Sequence, residues 1–323
     1  MNRLIKVALL AAALLLPGPL LAQTADYPAR PIRIVVAFTP GGTTDIIARI
    51  LGKKLTEAWG QAVVIENRPG AGGNLGSEIV ARSPADGYTL LIGSVGPLAI
   101  NATLYPKMPY DNLKDFAPVS LVAAVSNMLV VHPSVPVKTV QDLVTLAKAK
   151  PGELNYGSTG NGTTGHLSGE LLNDQAKIKL VHIPYRGAVA VNDLLGGQVQ
   201  MMFATIPSVI QHVRAGSLRA VAVTSNRRIP AVSDIPTIAE SGYPAFEASS
   251  WYGIVAPAGT PDAIVRKLSA EIARIIRLPD INEQLSSQGA EPIGSTPEEF
   301  GQYMKGETEK WAKIVRASGI KLE

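Results

Sequence analysis

The chain contains no cysteine. A disulfide framework, a thiol nucleophile, a Cys-ligated zinc and an iron–sulfur cluster are therefore excluded. Aromatic residues are scarce at 5%, and the 30 Lys and Arg side chains gather into no basic run or basic helix face. Nucleic acid is not an expected partner. Long apolar runs are also missing, because no segment approaches the ~20 residues that a membrane-spanning helix needs. What the chain does have is Leu, Ile, Val and Ala in quantity, within 46% apolar residues over 323 positions. That supply is enough to bury a sizeable core, so most of the chain is expected to fold, and its length suits two domains.

Arg3 and Lys6 precede the apolar run Val7 to Leu16, after which Pro17, Gly18 and Pro19 break any helix ahead of small Ala22. This is the layout of a secretory signal peptide over residues 1–22, with cleavage expected near Ala22. Its removal takes away Arg3 and Lys6 and lowers the net charge from +4 to +2. An ordinary buried N-terminal helix, the alternative, would place Lys6 inside its own apolar stretch.

From residue 30 onward, short apolar runs alternate with amphipathic stretches. Strands are predicted at 32–38, 62–66, 88–93, 119–131, 154–157, 180–185, 199–204, 218–224 and 252–256. Helix starts are predicted at Pro207, Pro236, Thr260-Pro261 and Thr296-Pro297, the last with a capping box to Glu299. Helix ends are predicted at Gly60, Gly216, Gly242, Gly289 and Gly319. Strand and helix in alternation predict an α/β fold around mostly parallel sheets. A chain this long exceeds the usual limit of one core, so two lobes are expected. No Pro/Gly/Ser linker divides front from back. The chain is therefore expected to cross between lobes through ordered strands, at Val119 to Val131 and Ala248 to Val255. The expected division is residues 23–122 plus 250–323 for one lobe and 123–249 for the other.

Three loops carry possible chemistry. Phe38-Thr39-Pro40-Gly41-Gly42-Thr43-Thr44-Asp45 joins a strand to a helix, so bare N–H groups and the helix dipole there can attract an anion. The same residues also suit a tight turn with no ligand, and Asp45 suits a helix-start carboxylate. Tyr156 to His166 contains Gly160, Gly162 and Gly165 in G-x-G-x-x-G spacing. A dinucleotide site would also need an acid at the end of the next strand, where the sequence reads Ile183-Pro184-Tyr185-Arg186. The Walker pattern fails because no Lys follows Gly162. What remains is a hydroxyl-rich anion cradle of Ser158, Thr159, Thr163 and Thr164, or a plain Gly-rich turn. The third loop, Glu66 to Gly76, includes Arg68, whose guanidinium is expected to brace neighbouring loops.

Catalytic patterns are thin. His166 and Glu170 share a helix face at i, i+4, but two ligands do not make a metal site. His132, His182 and His212 are isolated. There is no G-x-S-x-G elbow and no S-x-x-K. An enzyme is not expected, and neither is a cofactor or metal.

AFTPGGTTDIIAR, VIENRPGAGGNLG, ADGYTLLIGS, PYDNLKDFAPVS, NYGSTGNGTTGHLSGELL, HIPYRGAVAVNDLLGGQVQMMF and WYGIVAPAGTP occur in this order. Together they resemble the Bug family, the periplasmic solute-binding components of tripartite tricarboxylate transporters, over nearly the whole chain after the signal segment. The resemblance implies a two-lobed α/β periplasmic binding protein fold (type II) with a ligand cleft between the lobes. It implies a small carboxylate as ligand, a membrane permease as partner and a periplasmic location; a monomer is the default expectation for a protein whose lobes must move freely. Phe38, Thr39, Gly41, Gly42, Thr43 and Asp45 would then face Ser158, Thr159, Gly162, Thr163, Thr164 and His166 across the ligand. Ser94 belongs to a third loop, Arg68 and Asn74 match the second family loop, and Tyr185 and Gly187 match the wall of the other lobe. Many family members carry Asp where this chain has Ala204, which favours an apolar or simple dicarboxylate tail over an amino acid. Two other classes remain open: a ligand sensor for a membrane signalling protein, and a nucleotide-dependent α/β enzyme on Gly160, Gly162 and Gly165.

Overall fold

The computed structural model describes residues 27–187 and 189–318. The expected signal peptide and the helix end at Gly319 lie outside these residues. Strand β1 (Ile32–Val36) is an apolar run, and its Ile32, Ile34, Val35 and Val36 are all buried. A strand of that kind belongs in the interior of a parallel sheet, and β1 pairs in parallel with β2 (Val63–Asn67) and β3 (Thr89–Ser94). Helix α1 (Thr43–Trp59) leaves the end of β1 and buries Ile47, Ala48, Leu51 and Leu55, one stripe at helical spacing. Helix α2 (Asn74–Ala81) follows β2, and a π-type turn, Gly96–Ile100, leads from β3 into the short α3 (Asn101–Leu104).

Strand β4 (Phe116–Val131) is the longest and belongs to two sheets at once. Phe116 to Ser126 pair antiparallel with β9 (Ser249–Pro257), which in turn pairs with β3. Asn127 to Val131 pair with β7 (Met201–Thr205), and Met128 to Val131 also pair with β8 (Arg219–Val223). Beyond β7 lie β5 (Asn155–Ser158) and β6 (Val181–Pro184), both parallel. The order is β2-β1-β3-β9-β4-β7-β5-β6, with β8 and β10 (Ala290–Pro292) also joined to β4. The fold is thus a two-lobed α/β fold: a β1 half and a β5 half, hung on one strand.

In the β5 half, α4 (Val140–Ala149) starts with a capping box of Thr139 and Asp142. It is followed by α5 (Thr164–Ala176), α6 (Val189–Leu195) and α7 (Ile206–Arg214). After β9 come α8 (Asp262–Ile276), α9 (Pro279–Ser286) and α10 (Pro297–Ser318), and the Thr296–Glu299 capping box is present. One apolar core lies in each half, around Ile34, Leu51, Ile254 and Leu268 in one and around Met128, Leu194, Met202 and Ile210 in the other, and a further cluster with Val35 and Leu91 of the first and Tyr156 and Met201 of the second runs through both. This third cluster also holds buried Trp251 and Trp311, whose indole N–H groups both donate to Glu307 Oε2 at 3.0 Å.

The sheets are mixed and not mostly parallel as expected, five of the nine strand pairings among the described residues being antiparallel because β4 and β9 run against their neighbours, and no helix ends at Gly242. No helix starts at Pro236; its carbonyl accepts from Val223 N, and Thr237 bridges to Val223, so the segment extends the edge of β8. The three-residue β10 was not predicted, being too short to show a period.

Candidate functional site

The first turns of α1 and α5 come from different halves and open into the same cavity. It is lined by Phe38, Gly42, Thr43 and Thr44 from the end of β1, and by Thr159, Thr163, Thr164 and Gly165 from the end of β5. Ser94, Val95 and Gly96 close it from β3, and Met202, Phe203, Ala204, Thr205 and Ser208 from β7 and α7. Asn127, Gly187, Val191, Ser250 and Tyr252 complete the wall. The cavity has a volume of about 60 Å³. Among the described residues, no Lys, Arg, His, Asp or Glu lines it.

The geometry follows from local rules. The first N–H groups of a helix have no partner within the helix, and the dipole gives that end partial positive charge. Gly42, the N-cap of α1, offers no side-chain cap. Thr163, the N-cap of α5, accepts from His166 N at 3.4 Å and donates its hydroxyl to Gly160 O at 2.8 Å. The halves touch at this point: Thr43 Oγ1 lies 2.7 Å from Thr205 Oγ1, which donates to Ser208 Oγ at 3.2 Å. The Tyr252 phenol joins this hydroxyl group, and its burial raises its pKa against the lowering effect of Ser250, Thr43 and Thr205. Thr164 Oγ1 reaches Asn127 Oδ1 at 3.4 Å. The site is therefore a neutral, donor-rich chamber with apolar surface from Phe38, Val191, Met202, Phe203 and Ala204.

The predicted residues Phe38, Gly42, Thr43, Ser94, Thr159, Thr163, Thr164 and Ala204 line this chamber, as does Gly187 of the expected wall, whereas Thr39, Gly41, Asp45, Ser158, Gly162, His166 and Tyr185 do not. Asp45 is buried and accepts from Gly41 N at 3.0 Å, Arg49 Nε at 2.9 Å and Asn67 Nδ2 at 3.0 Å. Burial alone would raise its pKa, but bonds from Arg49, Gly41 and Asn67 outweigh that and hold it below the usual carboxylate range. Asp45 thus fixes the loop, and the Gly41 N–H is spent on it. Ser158 Oγ contacts Gly160 O and His182 Nε2 instead of the chamber. Gly162 N donates to His166 Nδ1 at 3.3 Å, and the His166 ring stacks on His182 with centroids 4.1 Å apart. Burial pushes His166 down to about 4; burial and the neighbouring His166 push His182 down to about 3. Tyr185 donates its backbone N–H to Ser158 O, and burial, with the nearby Asp193 carboxylate, raises the pKa of its phenol. Thr39 sits against Gly187 at the rim. Arg68, just past the end of β2, pairs with Glu66 of that strand, and among the described residues its guanidinium is not seen to brace a neighbouring loop. Asn74 is buried and accepts from Asn101 Nδ2 at 2.7 Å.

Sequence reasoning missed Asn127, Thr205, Ser250 and Tyr252. A signal existed in Ser126-Asn127, a polar break inside the apolar run of β4, and in the Ser249-Ser250 pair opening β9. Among the described residues, no group of three or more His, Cys, Asp or Glu is placed to hold a metal, and no helix is long and apolar enough to cross a membrane.

Residues 47–320 match the family described as tripartite tricarboxylate transporter family receptor. The chain belongs to this receptor family. BugT of Bordetella pertussis is 41% identical to the receptor over 308 residues, 95% of this chain and 94% of its own. An R. palustris protein solved with adipate superposes with a TM-score of 0.89 at 40% identity, covering 91% of the receptor and 99% of that chain. MatC of Rhodopseudomonas palustris, solved with malate, gives a TM-score of 0.85 at 33% identity over 90% of the receptor and 100% of that chain. The receptor is thus a solute-binding protein and not an enzyme, as the missing catalytic patterns led us to expect.

Proposed function

We propose that the receptor captures a small mono- or dicarboxylate between its halves in the periplasm and delivers it to the permease of a tripartite tricarboxylate transporter. The observation that carries this reading is the pair of helix starts, one from each half, that open with hydroxyl groups into one chamber whose described lining carries no charged side chain. A carboxylate there accepts bonds from N–H and O–H donors of both halves. Each charge-assisted bond contributes about 1.5–3 kcal/mol. Three or four, less the cost of closing, reach the roughly 8 kcal/mol of a micromolar complex. A negative side chain in the wall would oppose this, and the one candidate, Asp45, is turned away. Relatives solved with adipate and with malate support an acid as ligand.

Because both halves bind one solute, occupancy favours the closed form, a difference that a membrane partner can sense. The same reading places the signal-peptide cut near Ala22 and divides the mature chain into 23–122 plus 250–323 and 123–249. Isothermal titration calorimetry with a panel of aliphatic and aromatic mono- and dicarboxylates tests it. Micromolar binding of at least one acid is expected. Tight binding confined to neutral or cationic solutes would refute it.

A further inference from the structure

Gly162 was expected to hold ligand through its bare amide, yet its N–H is committed to His166 and it does not line the chamber. Its lack of a side chain matters for a different neighbour. It has φ +78°, and a Cβ built on it would overlap Asn101 Oδ1 and lie 3.3 Å from Leu104 Cδ2. Both neighbours belong to α3, in the opposite half. Gly187, at φ +74° in the β5 half, shows the same arrangement. A Cβ there would overlap Thr39 Oγ1 and lie 3.0 Å from Thr39 N, again across the cleft. Gly96 adds to the close approach, since a Cβ on it would lie 3.1 Å from Gly162 O.

The contact at Gly162 is one of shape and not of hydrogen bonding. Asn101 is fully buried; its Nδ2 donates to Gly72 O at 3.2 Å and to Asn74 Oδ1, while its Oδ1 has no hydrogen-bond partner. A buried carbonyl without a donor is costly. Among the described residues, Asn101 Oδ1 thus gains no bond from the facing half. At this point the halves fit because two glycines leave room, and the hydrogen bonding across the seam lies elsewhere, at Thr43 with Thr205 and at Tyr105 with Asn161 O.

We propose that Gly162 and Gly187 are closure glycines, positioning residues whose missing side chains let Asn101 and Thr39 of the facing half seat, and that this seam sets the balance between open and closed receptor. Such a role rests on two-sided binding of the solute, but it concerns the motion of the halves and can be tested without ligand. The chain has no cysteine, so Thr43→Cys with Thr205→Cys, at positions whose hydroxyl oxygens lie 2.7 Å apart, introduces the only thiols. The rate of disulfide formation then reports how often the halves shut.

In that background Gly162→Ala is expected to slow the rate about tenfold or more, because the overlap must be relieved by leaving the closed form. Adding Asn101→Ala should restore the rate. Gly187→Ala should slow it as well and should not be rescued by Asn101→Ala, since its obstacle is Thr39. Gly216→Ala, at φ +73° with nothing within 4 Å, controls for backbone strain and should leave the rate unchanged. Without the added thiols, Gly162→Ala should weaken adipate binding in calorimetry by the same factor, at unchanged thermal stability of the unliganded protein beyond that of the control. Equal disulfide rates in wild-type and Gly162→Ala backgrounds overturn the proposal, as does slowing that Asn101→Ala fails to relieve at Gly162. Failure of the wild type to bind any acid would count against carboxylate capture, while the disulfide rates would still decide whether the seam governs closure.

Discussion

Lowering the pH from 7 to 5 should weaken the fold through the stacked pair His166 and His182. Both rings are held neutral: burial lowers His166 to about 4, and burial plus the neighbouring ring lowers His182 to about 3. In the unfolded chain each takes up a proton near pH 6.5. A lowered folded-state value means that the native protein binds fewer protons, so their contribution is complete above about 6.5 and is lost as the pH falls toward about 4. At pH 5 the more buried ring, His166, has given up about 2 kcal/mol, and the thermal midpoint should drop by on the order of 5 °C.

Function should follow stability here. His166 Nδ1 accepts from Gly162 N, and a protonated ring can no longer accept. The loop that carries Thr163 and Thr164 then loses a brace, so acid affinity should decline with the same pH dependence. The groups facing the pair are Ser158 on His182 and the Tyr156 ring, itself bonded through its hydroxyl to Glu170 at 2.6 Å. Differential scanning fluorimetry between pH 5 and 8 on wild type and on His166→Gln/His182→Gln reads the effect. A flat wild-type profile, or an equal slope in the double variant, would show that these rings do not set the acid sensitivity.

Other perturbations probe the frame of the site. Asp45→Ala leaves Gly41 N and Asn67 Nδ2 without their carboxylate, so it should cost about 2 kcal/mol in urea unfolding and weaken acid binding through the slackened start of α1. Glu307→Ala strands two buried indole N–H groups and should cost about 3 kcal/mol, with a red-shifted tryptophan emission; Glu307→Gln, which keeps one acceptor, should recover part of the loss.

Much of this architecture can be traced to local sequence. The apolar runs at 32–38 and 119–131 became β1 and β4 because strands buried on both faces need unbroken apolar side chains. The glycine and hydroxyl loops at 38–45 and 158–166 sit at helix starts, as strand-loop-helix order requires. The partners of those loops are a different matter. Tyr252, Thr205 and Asn127 enter the chamber through pairing between strands far apart in the chain, and no local pattern encodes that pairing. Asp45, Ser158, Gly162 and His166 were grouped with the ligand shell because a residue that braces a loop and one that binds a solute look alike in one dimension. Only the direction of each side chain tells them apart.

The shared strand β4 has a mechanical consequence. With Phe116 to Ser126 laddered to one sheet and Asn127 to Val131 to the other, the pivot is a continuous ribbon whose backbone bonds are already occupied. Any motion that parts the halves would have to bend or twist this ribbon, because no slack loop stands at that point of the chain.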